Sequence, residues 1–520
     1  MTERNRFSPL QPPGPANDEL ERNTHPADWV NPVPVPRYNL VVIGAGTAGL
    51  VCAAGAAALG ARVALIEREL MGGDCLNAGC VPSKALLAAA HRAVDVRDAA
   101  RLGVRHGDGG GVDFPAVMER MRRLRATLSR HDSVQRFTGL GVDVFLGPGR
   151  FAGPDAVEVA GRRLHFSRAV IATGTRPAIP AIAGLGDIGY LTNRSLFSLT
   201  TLPKRLAIFG AGATGCEMAQ AFARFGSAVT LIEARRSVLP DEDVEASEFI
   251  RQALAGDGVQ LLCEASEIRV GRQPDGLHVT LEARGQLHEF AVDDVLVATG
   301  RTPNLEELGL EAAGIAWHPH GVAVDDRLRT TNPRVYAAGD VCSPYRFTQA
   351  ADAMARIVIR NALFRGRAKA SKLVIPSCLC TAPELARVGL GARQAGEQGI
   401  AIDTFSQSLD VIDRVILAGE SAGGTATEAG SGTAGFVTVR TCRGSDRIVG
   451  ATVVGHHAGE MIAPLAMAMT RGIGLRQLGA TILPYPTRSE SLRRLGDQYN
   501  RSRLTPLIAS VLGRWFRWHR

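Results

Sequence analysis

Two cysteines stand five positions apart in a segment that begins at Gly72 and reads GGDCLNAGCVPSK. Thiols at this spacing can come within disulfide reach on a bent helical turn, where Gly79 relaxes the backbone and Pro82 restricts the chain after the second cysteine. A disulfide in a reducing compartment is usually catalytic. Cys75 and Cys80 are therefore candidates for a redox-active pair. A metal-binding pair, disfavoured because no His or Cys cluster adjoins it, and two unconnected core thiols remain the alternatives.

Two glycine-rich hexapeptides each follow a short apolar strand and precede an acidic residue at the same offset. In a G-x-G-x-x-G turn the first glycine permits the bend, the second admits a pyrophosphate, and the third lets helix and strand pack closely. The helix N-terminus offers N–H groups to the phosphates, and the acidic residue holds the ribose hydroxyls. Two dinucleotide sites are predicted, formed by Gly44, Gly46, Gly49 and Glu67 and by Gly210, Gly212, Gly215 and Glu233.

The length and composition exclude several classes of protein. A chain of 520 residues predicts two to four domains, which excludes a peptide hormone, a disulfide-stapled mini-domain and a coiled-coil rod. The apolar stretch 40–61 is long enough for a membrane span, but its glycines favour a strand, a turn and a helix start. Nine scattered cysteines and a Pro-rich N-terminus without a continuous apolar stretch predict a cytoplasmic protein with no signal peptide.

The net charge of +8 is concentrated near the end of the chain, where residues 488–520 hold eight Arg, one Glu and one Asp. The rest is nearly neutral, so no nucleic-acid partner is expected. Apolar residues recur at helical spacing from Leu504 to Trp515, and Pro506 and Gly513 argue against a long continuous helix. The tail is interpreted either as an amphipathic segment in weak contact with an anionic membrane surface or, preferably, as a helix that docks on its own dimer.

The cysteine segment, both nucleotide units, the strand–turn repeats AVIATGTRP and VLVATGRTPN, and the motifs VYAAGD and PYPTRSE resemble the class I pyridine nucleotide-disulfide oxidoreductases. This family includes dihydrolipoamide dehydrogenase, glutathione reductase and mercuric reductase, and the mercuric-reductase-like branch is the most similar. The resemblance implies an α/β fold with two Rossmann-like dinucleotide-binding domains, for FAD and NAD(P), and an α+β C-terminal dimerisation domain that forms a homodimer.

The implied domain boundaries follow from the positions of these motifs. We expect a disordered N-terminal extension at 1–37, the FAD-binding domain at 38–190 and 311–371, the NAD(P)-binding domain at 191–310, the dimerisation domain at 372–490 and a basic tail at 491–520. The stretch Ser421–Gly432, rich in Gly, Ala and Thr, is predicted to be a flexible loop insertion of low order.

The resemblance also implies roles for individual residues. Cys80 is the thiolate over the flavin ring and Cys75 the thiol that attacks substrate, while Lys84 lies beside the flavin and pairs with Glu217. FAD is held by the first glycine unit and Asp340, and the nicotinamide by the second. NADH is favoured over NADPH because the Glu233 carboxylate repels a 2′-phosphate, although Arg235 and Arg236 argue the other way. The remaining expected cofactor contacts are Gly147, Thr173, Gly174, Gly300 and Gly339.

One departure from the family concerns the proton donor. Disulfide-reducing members carry His-Pro-x-x-x-Glu near the C-terminus, contributed across the dimer interface, and this chain has Tyr485 in place of the histidine, with Glu490 retained. A phenol is a poorer proton shuttle at neutral pH than an imidazole. His456 and His457 are the nearest alternatives, and both are interpreted as packed or interface residues.

The electron acceptor is expected to be a thiol, a disulfide or a metal ion. Mercuric reductases also carry tyrosine at this position, but they end in a vicinal Cys pair that has no counterpart after Cys442. True mercuric reductase activity is therefore not expected, and no metal site is predicted, since Cys378 and Cys380 are interpreted as interface-strand thiols. The alternatives are a dihydrolipoamide dehydrogenase and a redox-sensing flavoprotein without turnover.

Overall fold

The structure is a computed structural model that describes residues 10–104, 111–274, 276–420 and 434–520. The predicted flexible loop at 421–432 lies outside the described residues. The chain divides into two compact units, the first within 1–93, 111–234 and 265–373, and the second within 94–110, 235–264 and 374–520.

Helices occur in both units and are numbered in chain order. They are α1 (Pro15–Thr24), α2 (Thr47–Ala58), α3 (Gly73–Asn77), α4 (Cys80–Asp98), α5 (Phe114–Ser129), α6 (Val134–Gly139), α7 (Asn193–Leu196), α8 (Ala213–Phe225), α9 (Val244–Gly256), α10 (Thr348–Phe364), α11 (Ala392–Glu397), α12 (Asp413–Leu417), α13 (Ala458–Arg471), α14 (Leu475–Ala480), α15 (Glu490–Ser502) and α16 (Pro506–Trp518).

The strands are short, as in most α/β proteins. They are β1 (Tyr38–Ile43), β2 (Val63–Glu67), β3 (Val142–Leu146), β4 (Gly149–Gly153), β5 (Ala156–Val159), β6 (Arg162–Ile171), β7 (Thr175–Pro177), β8 (Arg205–Phe209), β9 (Ala228–Glu233), β10 (Gln260–Cys263), β11 (Ala265–Gln273), β12 (Gly276–Ala283), β13 (Gln286–Val292), β14 (Asp294–Val297), β15 (Arg301–Pro303), β16 (Trp317–His318), β17 (Gly321–Val322), β18 (Val335–Ala337), β19 (Pro376–Leu379), β20 (Glu384–Gly389), β21 (Ile402–Ser408), β22 (Phe436–Cys442) and β23 (Ile448–Gly455).

The largest sheet of the first unit has the order β3-β2-β1-β6-β5-β4, with β18 also paired to β6. Strands β3, β2, β1, β6 and β18 run parallel, and Val41 faces Ala64 on one side and Ala169 on the other. Parallel strands are covered on both faces, which explains the continuous apolar runs of β1 and β2. Their side chains form a buried core with Phe145, Phe151 and Phe166.

A second parallel arrangement in this unit places β8 between β9 and β14. It repeats the strand–turn–helix–strand order of β1, α2 and β2, as the matching sequence blocks predict. The strands β7 and β15 begin directly after the glycines of the two ATG repeats and pair antiparallel, with Thr302 opposite Arg176. Strands β11, β12 and β13 form an antiparallel meander.

The second unit contains an antiparallel sheet in the order β19-β20-β23-β22-β21. Helices α13, α14 and α15 contribute Leu465, Leu475 and Leu495 to its buried core. Helices segregated to an antiparallel sheet define an α+β arrangement. The predicted fold class, two dinucleotide-binding modules followed by an α+β domain, is confirmed.

The two ends of the chain differ from the sequence expectations. The extension 1–37 was expected to be disordered, but Pro15–Thr24 form α1, because Ala16 and Leu20 lie four residues apart and bury one helix face. At the other end, Pro506 begins α16, whereas Gly513 lies inside that helix and does not interrupt it. In the described part of the chain, no helix has both the length and the apolar character to cross a membrane.

Candidate redox and dinucleotide site

The two glycine turns have nearly identical backbone geometry. Gly44 and Gly210 have φ angles of 101° and 98°, a region that L side chains avoid. A Cβ at Gly49 would lie 1.8 Å from the carbonyl oxygen of Gly44, and one at Gly215 would lie 1.8 Å from that of Gly210. Gly46 and Gly212 take the N-cap positions of α2 and α8. Each turn therefore brings a strand, a helix N-terminus and exposed backbone N–H groups together.

The two acidic residues predicted by offset also occupy equivalent places. Glu67 ends β2 and its Oε2 accepts a hydrogen bond from the Ala45 N–H at 2.7 Å. Glu233 ends β9 and its Oε2 accepts from the Ala211 N–H at 2.7 Å. Burial raises the pKa of Glu67, although two backbone N–H groups oppose this shift. Each carboxylate thus lies against its own glycine turn.

Several residues predicted to hold FAD converge around the first turn. Gly147 donates its N–H to the Glu67 carbonyl at 2.8 Å. A Cβ at Gly73 would lie 2.6 Å from the Gly46 Cα, and one at Gly339 would lie 3.3 Å from the Ala48 Cβ. This cradle lacks side chains, offers N–H donors and ends in a carboxylate, which are the features that a dinucleotide requires. These residues fit FAD.

Asp340 follows Gly339 and contacts the first ATG repeat. Its Oδ2 accepts a hydrogen bond from the Thr175 hydroxyl at 3.0 Å, and burial raises its pKa. The neighbouring Thr173 hydroxyl donates to the Asn304 carbonyl at 2.8 Å, and the Gly174 carbonyl accepts from the Asn304 N–H at 3.0 Å. Thr173, Gly174 and Asp340 therefore form one connected group.

Gly300 and the second glycine unit form the other predicted cofactor group. The Gly300 carbonyl accepts from the Ala178 N–H at 2.9 Å, next to the paired strands β7 and β15. Gly210, Gly212, Gly215 and Glu233 repeat the geometry of the first unit. This donor set fits the adenosine half of a nicotinamide dinucleotide for the same physical reasons.

Cys75 and Cys80 are brought together at the junction of α3 and α4. Thr348, the first residue of α10, donates a hydrogen bond to Cys75 Sγ at 3.3 Å, and its oxygen is also 3.3 Å from Cys80 Sγ. The shared contact to this one hydroxyl brings the two sulfurs into the same small space. Among the described residues there is no cluster of three or more His, Cys, Asp or Glu side chains that could hold a metal ion.

The two thiols differ in acidity. The pKa of Cys80 is lowered, first by the Cys75 thiol, then by the Thr348 hydroxyl, which can turn its single proton from Cys75 to a Cys80 thiolate, and by the nearby Lys84 ammonium. The pKa of Cys75 is raised by its hydrogen bond to Cys80 and by burial. The arrangement favours a thiolate at Cys80 next to a protonated Cys75.

Lys84 lies one helical turn beyond Cys80 in α4. Its Nζ donates to both oxygens of Glu217 at 2.9 Å. The Glu217 side chain, on α8, is only 6% exposed, whereas that of Lys84 is 42% exposed. The pair therefore connects the cysteine segment to the helix of the second glycine unit.

Sequence reasoning missed two residues of this site. Arg301 forms an ion pair with Asp74, which precedes Cys75, and its Nε donates to the Thr175 hydroxyl at 2.7 Å. Arg301 and Thr175 follow the glycines of the two ATG repeats, so the repeat itself was an available signal. Thr348 is far from the cysteines in sequence and belongs to no motif, so nothing in the sequence pointed to it.

Tyr485 and Glu490 belong to the second unit. The Tyr485 hydroxyl donates to Asp413 Oδ2 at 2.7 Å, and this bond raises the pKa of an exposed phenol. Glu490 Oε1 accepts from Arg494 Nε at 3.0 Å and from its Nη2 at 2.9 Å. Cys378 Sγ lies 3.9 Å from Glu384 Oε2. Asp413 was not anticipated as a partner of Tyr485.

Comparison with known proteins agrees with this geometry. A family model described as pyridine nucleotide-disulphide oxidoreductase matches residues 38–355, and the dimerisation domain of that family matches residues 375–495. The presence of this domain supports a homodimer.

Two curated relatives and one solved structure illustrate the likeness. The chain is 34% identical over 461 residues to a mercuric reductase of Bacillus cereus, covering 88% of this chain and 70% of the relative. It is 34% identical over 466 residues to a dihydrolipoyl dehydrogenase of Thermus scotoductus, and this match covers 88% of this chain and 96% of the relative. The HOCl-induced flavoprotein disulfide reductase RclA from Escherichia coli superposes with a TM-score of 0.75 at 29% identity, covering 88% of this chain and 99% of RclA.

The sequence resemblance is therefore confirmed at the level of the family. The family match covers both glycine units, the cysteine segment and the dimerisation domain, and FAD and NAD(P)H are the cofactors of its members. This chain belongs to the pyridine nucleotide-disulfide oxidoreductases and is a flavin-dependent enzyme.

Proposed function

We propose that this enzyme uses NAD(P)H to reduce a thiol/disulfide or metal-ion acceptor by two electrons, through a redox-active Cys75–Cys80 disulfide. The observation that carries this proposal is that one hydroxyl, that of Thr348, lies 3.3 Å from both Cys75 Sγ and Cys80 Sγ, one helical turn before the Lys84–Glu217 ion pair. The lowered pKa of Cys80 and the raised pKa of Cys75 agree with it. The names of relatives in the mercuric reductase branch support a mercuric-reductase-like acceptor chemistry.

The proposed roles follow from the chemistry of the side chains. FAD would supply the two-electron chemistry that links the nicotinamide to the disulfide. Cys80 would carry the thiolate next to FAD, the Lys84 ammonium would stabilise negative charge there, and Glu217 orients Lys84. Gly44, Gly46, Gly49, Glu67, Gly147, Thr173, Gly174, Gly339 and Asp340 are proposed to hold FAD.

A disulfide acceptor would be reduced in two thiol–disulfide exchange steps. Cys75 first passes its proton to the Cys80 thiolate and then attacks one acceptor sulfur, which forms a mixed disulfide and releases the other sulfur as a thiolate. That released thiolate takes the proton back from Cys80. The Cys80 thiolate then attacks Cys75 Sγ, which re-forms the Cys75–Cys80 disulfide and releases the second acceptor thiolate. Both released thiolates take up protons, and Tyr485 is proposed to face this step from the dimer partner with Glu490.

NADH is the proposed nicotinamide substrate. The Glu233 carboxylate lies at the second glycine turn, where it accepts a hydrogen bond and would repel a 2′-phosphate. Gly210, Gly212, Gly215 and Gly300 complete the proposed nicotinamide site. We expect kcat/KM to be higher with NADH than with NADPH, and the opposite preference would refute this assignment.

The decisive experiment replaces the two thiols separately in the holoenzyme. We expect Cys75→Ser and Cys80→Ser each to lower NADH-dependent turnover at least ~100-fold, because the second thiol is needed to close the disulfide. Cys442→Ser, which removes a partly buried thiol of the second unit, is the matched control and keeps full activity.

The acceptors for this assay are mercuric ion, lipoamide and low-molecular-weight disulfides. Preferential turnover of lipoamide would favour a dihydrolipoamide dehydrogenase, for which the Thermus relative is the supporting observation. Fast oxidation of NADH by enzyme-bound flavin without turnover of any acceptor would favour a redox sensor. Full activity in both serine variants would eliminate the disulfide mechanism.

Helix α16 is proposed to make a weak contact with an anionic membrane surface. None of its residues is buried, and Leu507, Val511 and Trp515 lie on one helical face. Residues 498–520 contain five Arg and no Asp or Glu, which complements anionic lipid. Binding to phosphatidylserine vesicles that is lost in Arg514→Glu/Arg517→Glu is expected. If the protein does not bind these vesicles and α16 is protected from hydrogen exchange in the dimer, the membrane contact is refuted and α16 docks on the partner subunit.

The cytoplasmic location remains a prediction.

A further inference from the structure

The N-terminal segment packs close to the segment that carries Cys75 and Cys80. Helix α1 precedes residue 38, where the family match begins, so its contacts are a property of this chain outside the matched region. Ala16 and Leu20 of α1 are buried in one cluster with Leu76 and Ala126, and Val81 packs against that cluster. Leu76 and Val81 immediately follow Cys75 and Cys80, so this cluster joins α1 to the neighbours of both cysteines.

A buried polar bridge reinforces this packing. Arg125 of α5 donates from Nη1 to the Asn77 carbonyl at 2.8 Å and from Nη2 to Asn17 Oδ1 at 2.7 Å. Arg125 is 4% exposed and Asn17 is 2% exposed. Asn77 ends α3 between the two cysteines, where a helix leaves carbonyl groups without intrahelical partners. The bridge therefore joins α1 to the backbone of the Cys75–Cys80 segment through one guanidinium.

The bridge is sensitive to the loss of Asn17. Burial lowers the pKa of Arg125 to about 10, so its guanidinium is charged at neutral pH. A buried charge needs its donors satisfied, and the acceptors it uses are the neutral oxygens of Asn17 and Asn77. Asn17 is itself fixed, because its Nδ2 donates to the Pro12 carbonyl at 2.8 Å. Removal of the Asn17 oxygen would free Arg125 to move, and with it the Asn77 carbonyl.

Three further hydrogen bonds hold the chain on the N-terminal side of Cys75. The Asn77 side chain donates to the Met71 and Gly73 carbonyls at 3.1 and 2.9 Å. The Met71 N–H donates in turn to the Thr24 carbonyl at the end of α1, at 3.3 Å. The start, the middle and the end of the cysteine segment are therefore held by α1 or by residues that contact it.

We propose that α1 is a positioning element of the redox pair: through Asn17, Arg125 and Leu20 it holds the Cys75–Cys80 segment in the conformation that keeps the two sulfurs together. The inference rests on the proposed function, because it assumes that these thiols form the redox couple. A disulfide tolerates only a narrow range of Cβ separations, so a segment held in place favours the disulfide over the dithiol.

The test measures the thiol–disulfide equilibrium of the holoenzyme and not its turnover. Oxidised enzyme is equilibrated anaerobically with mixtures of reduced and oxidised dithiothreitol, then alkylated and analysed by peptide mass. Reduced dithiothreitol gives two electrons and two protons to the disulfide and becomes its cyclic disulfide. In Asn17→Ala we expect reduction to be about tenfold more favourable, a rise of ~30 mV in midpoint potential.

Two variants separate positioning from general stability. Asn17→Asp loses the amide that donates to Pro12 but keeps an oxygen that accepts from Arg125, and its charge-assisted bond to the guanidinium holds it in place. Its equilibrium is expected to stay within twofold of that of the unchanged protein. Glu19→Ala removes the exposed ion pair between α1 and Arg130 without touching the cysteine segment, and it is the matched control. Leu20→Val, which deletes one methylene from the cluster, serves as the second variant if Asn17→Ala fails to fold.

The outcomes distinguish the two hypotheses. If the unchanged protein forms no Cys75–Cys80 disulfide, the proposed function is wrong. If it forms the disulfide, but Asn17→Ala and Leu20→Val melt at lower temperature with an unchanged equilibrium, α1 is only a stabilising element and the positioning role is refuted. An equal shift in Glu19→Ala would also refute it.

Discussion

At the scale of single residues, the acidity of the two thiols depends on what surrounds each sulfur. Cys80 accepts hydrogen bonds and lies near an ammonium, whereas Cys75 donates and is partly buried. The two residues have the same side chain in the same motif, so their types alone do not distinguish them. Thr348 is the one hydroxyl that contacts both sulfurs in the described residues.

We predict that Thr348→Val raises the pKa of Cys80 by about one unit, because a hydrogen bond to a charged group contributes ~1.5–3 kcal/mol and one unit corresponds to ~1.4 kcal/mol. With a raised pKa the thiolate persists only at higher pH, so the inflection in the alkylation rate of Cys80 moves to higher pH. Peptide mass after iodoacetamide treatment of the reduced enzyme measures this. Thr348→Ser retains the hydroxyl and is the control, and an unmoved inflection in Thr348→Val would contradict the assignment.

At the scale of elements, the two strand–turn–helix units depend on close backbone approach. The third glycine of each unit lies inside a helix, where glycine ordinarily weakens the structure relative to alanine. Alanine cannot replace glycine at these two positions, because a Cβ at Gly49 or Gly215 would overlap a carbonyl oxygen 1.8 Å away. The glycine-rich composition of the chain is partly explained by such positions.

Gly49→Ala is therefore expected to destabilise the first unit by more than ~2 kcal/mol and to weaken FAD retention, because the backbone atom of Gly44 has no room to move without disturbing the turn. Gly513→Ala is the matched control, since Gly513 is also helical but its added Cβ would meet nothing within 4 Å. That change should be neutral or slightly stabilising. Thermal unfolding measures the stability of each variant, and the release of flavin measures its FAD retention. Equal effects in the two variants would contradict the packing argument.

At the scale of the whole molecule, the cysteines and the expected proton donor belong to different compact units. The family's dimerisation domain in the second unit supports a homodimer. The sequence resemblance predicts that the donor is contributed across its interface. The residue at this position is Tyr485, whose hydrogen bond to Asp413 raises the pKa of the phenol. A phenol with a raised pKa remains protonated at neutral pH and is a weaker acid, so it gives up its proton less readily.

We predict that Tyr485→His increases lipoamide reduction by at least ~10-fold and introduces a pH dependence near 6.5, where an imidazole titrates. A residue that moves a proton must exchange it at the working pH, and Tyr485 does so poorly. Steady-state rates between pH 5.5 and 9 measure this effect, with Tyr485→Phe as the control that keeps the ring. A large loss in Tyr485→Phe together with no gain in Tyr485→His would show that the phenol has an indispensable role.

The sequence by itself determined the features that depend on local spacing. The glycine turns, the acidic residues at equal offsets and the five-residue cysteine spacing are short-range patterns, because a strand, a turn and a helix start specify their geometry within a few residues. These patterns were sufficient for the fold class and the family. They also located Glu67 and Glu233, which accept equivalent hydrogen bonds.

Only the tertiary structure decided which distant residues meet at the thiols and around the segment that carries them. Thr348 comes from α10, Arg301 from β15, and Asn17 from a segment expected to be disordered. No sequence period encodes such contacts, because they depend on how helices and strands far apart in the chain pack together. Helix α1 was missed for this reason: its apolar face is small, and burial against Leu76 and Ala126, more than its own pattern, stabilises it.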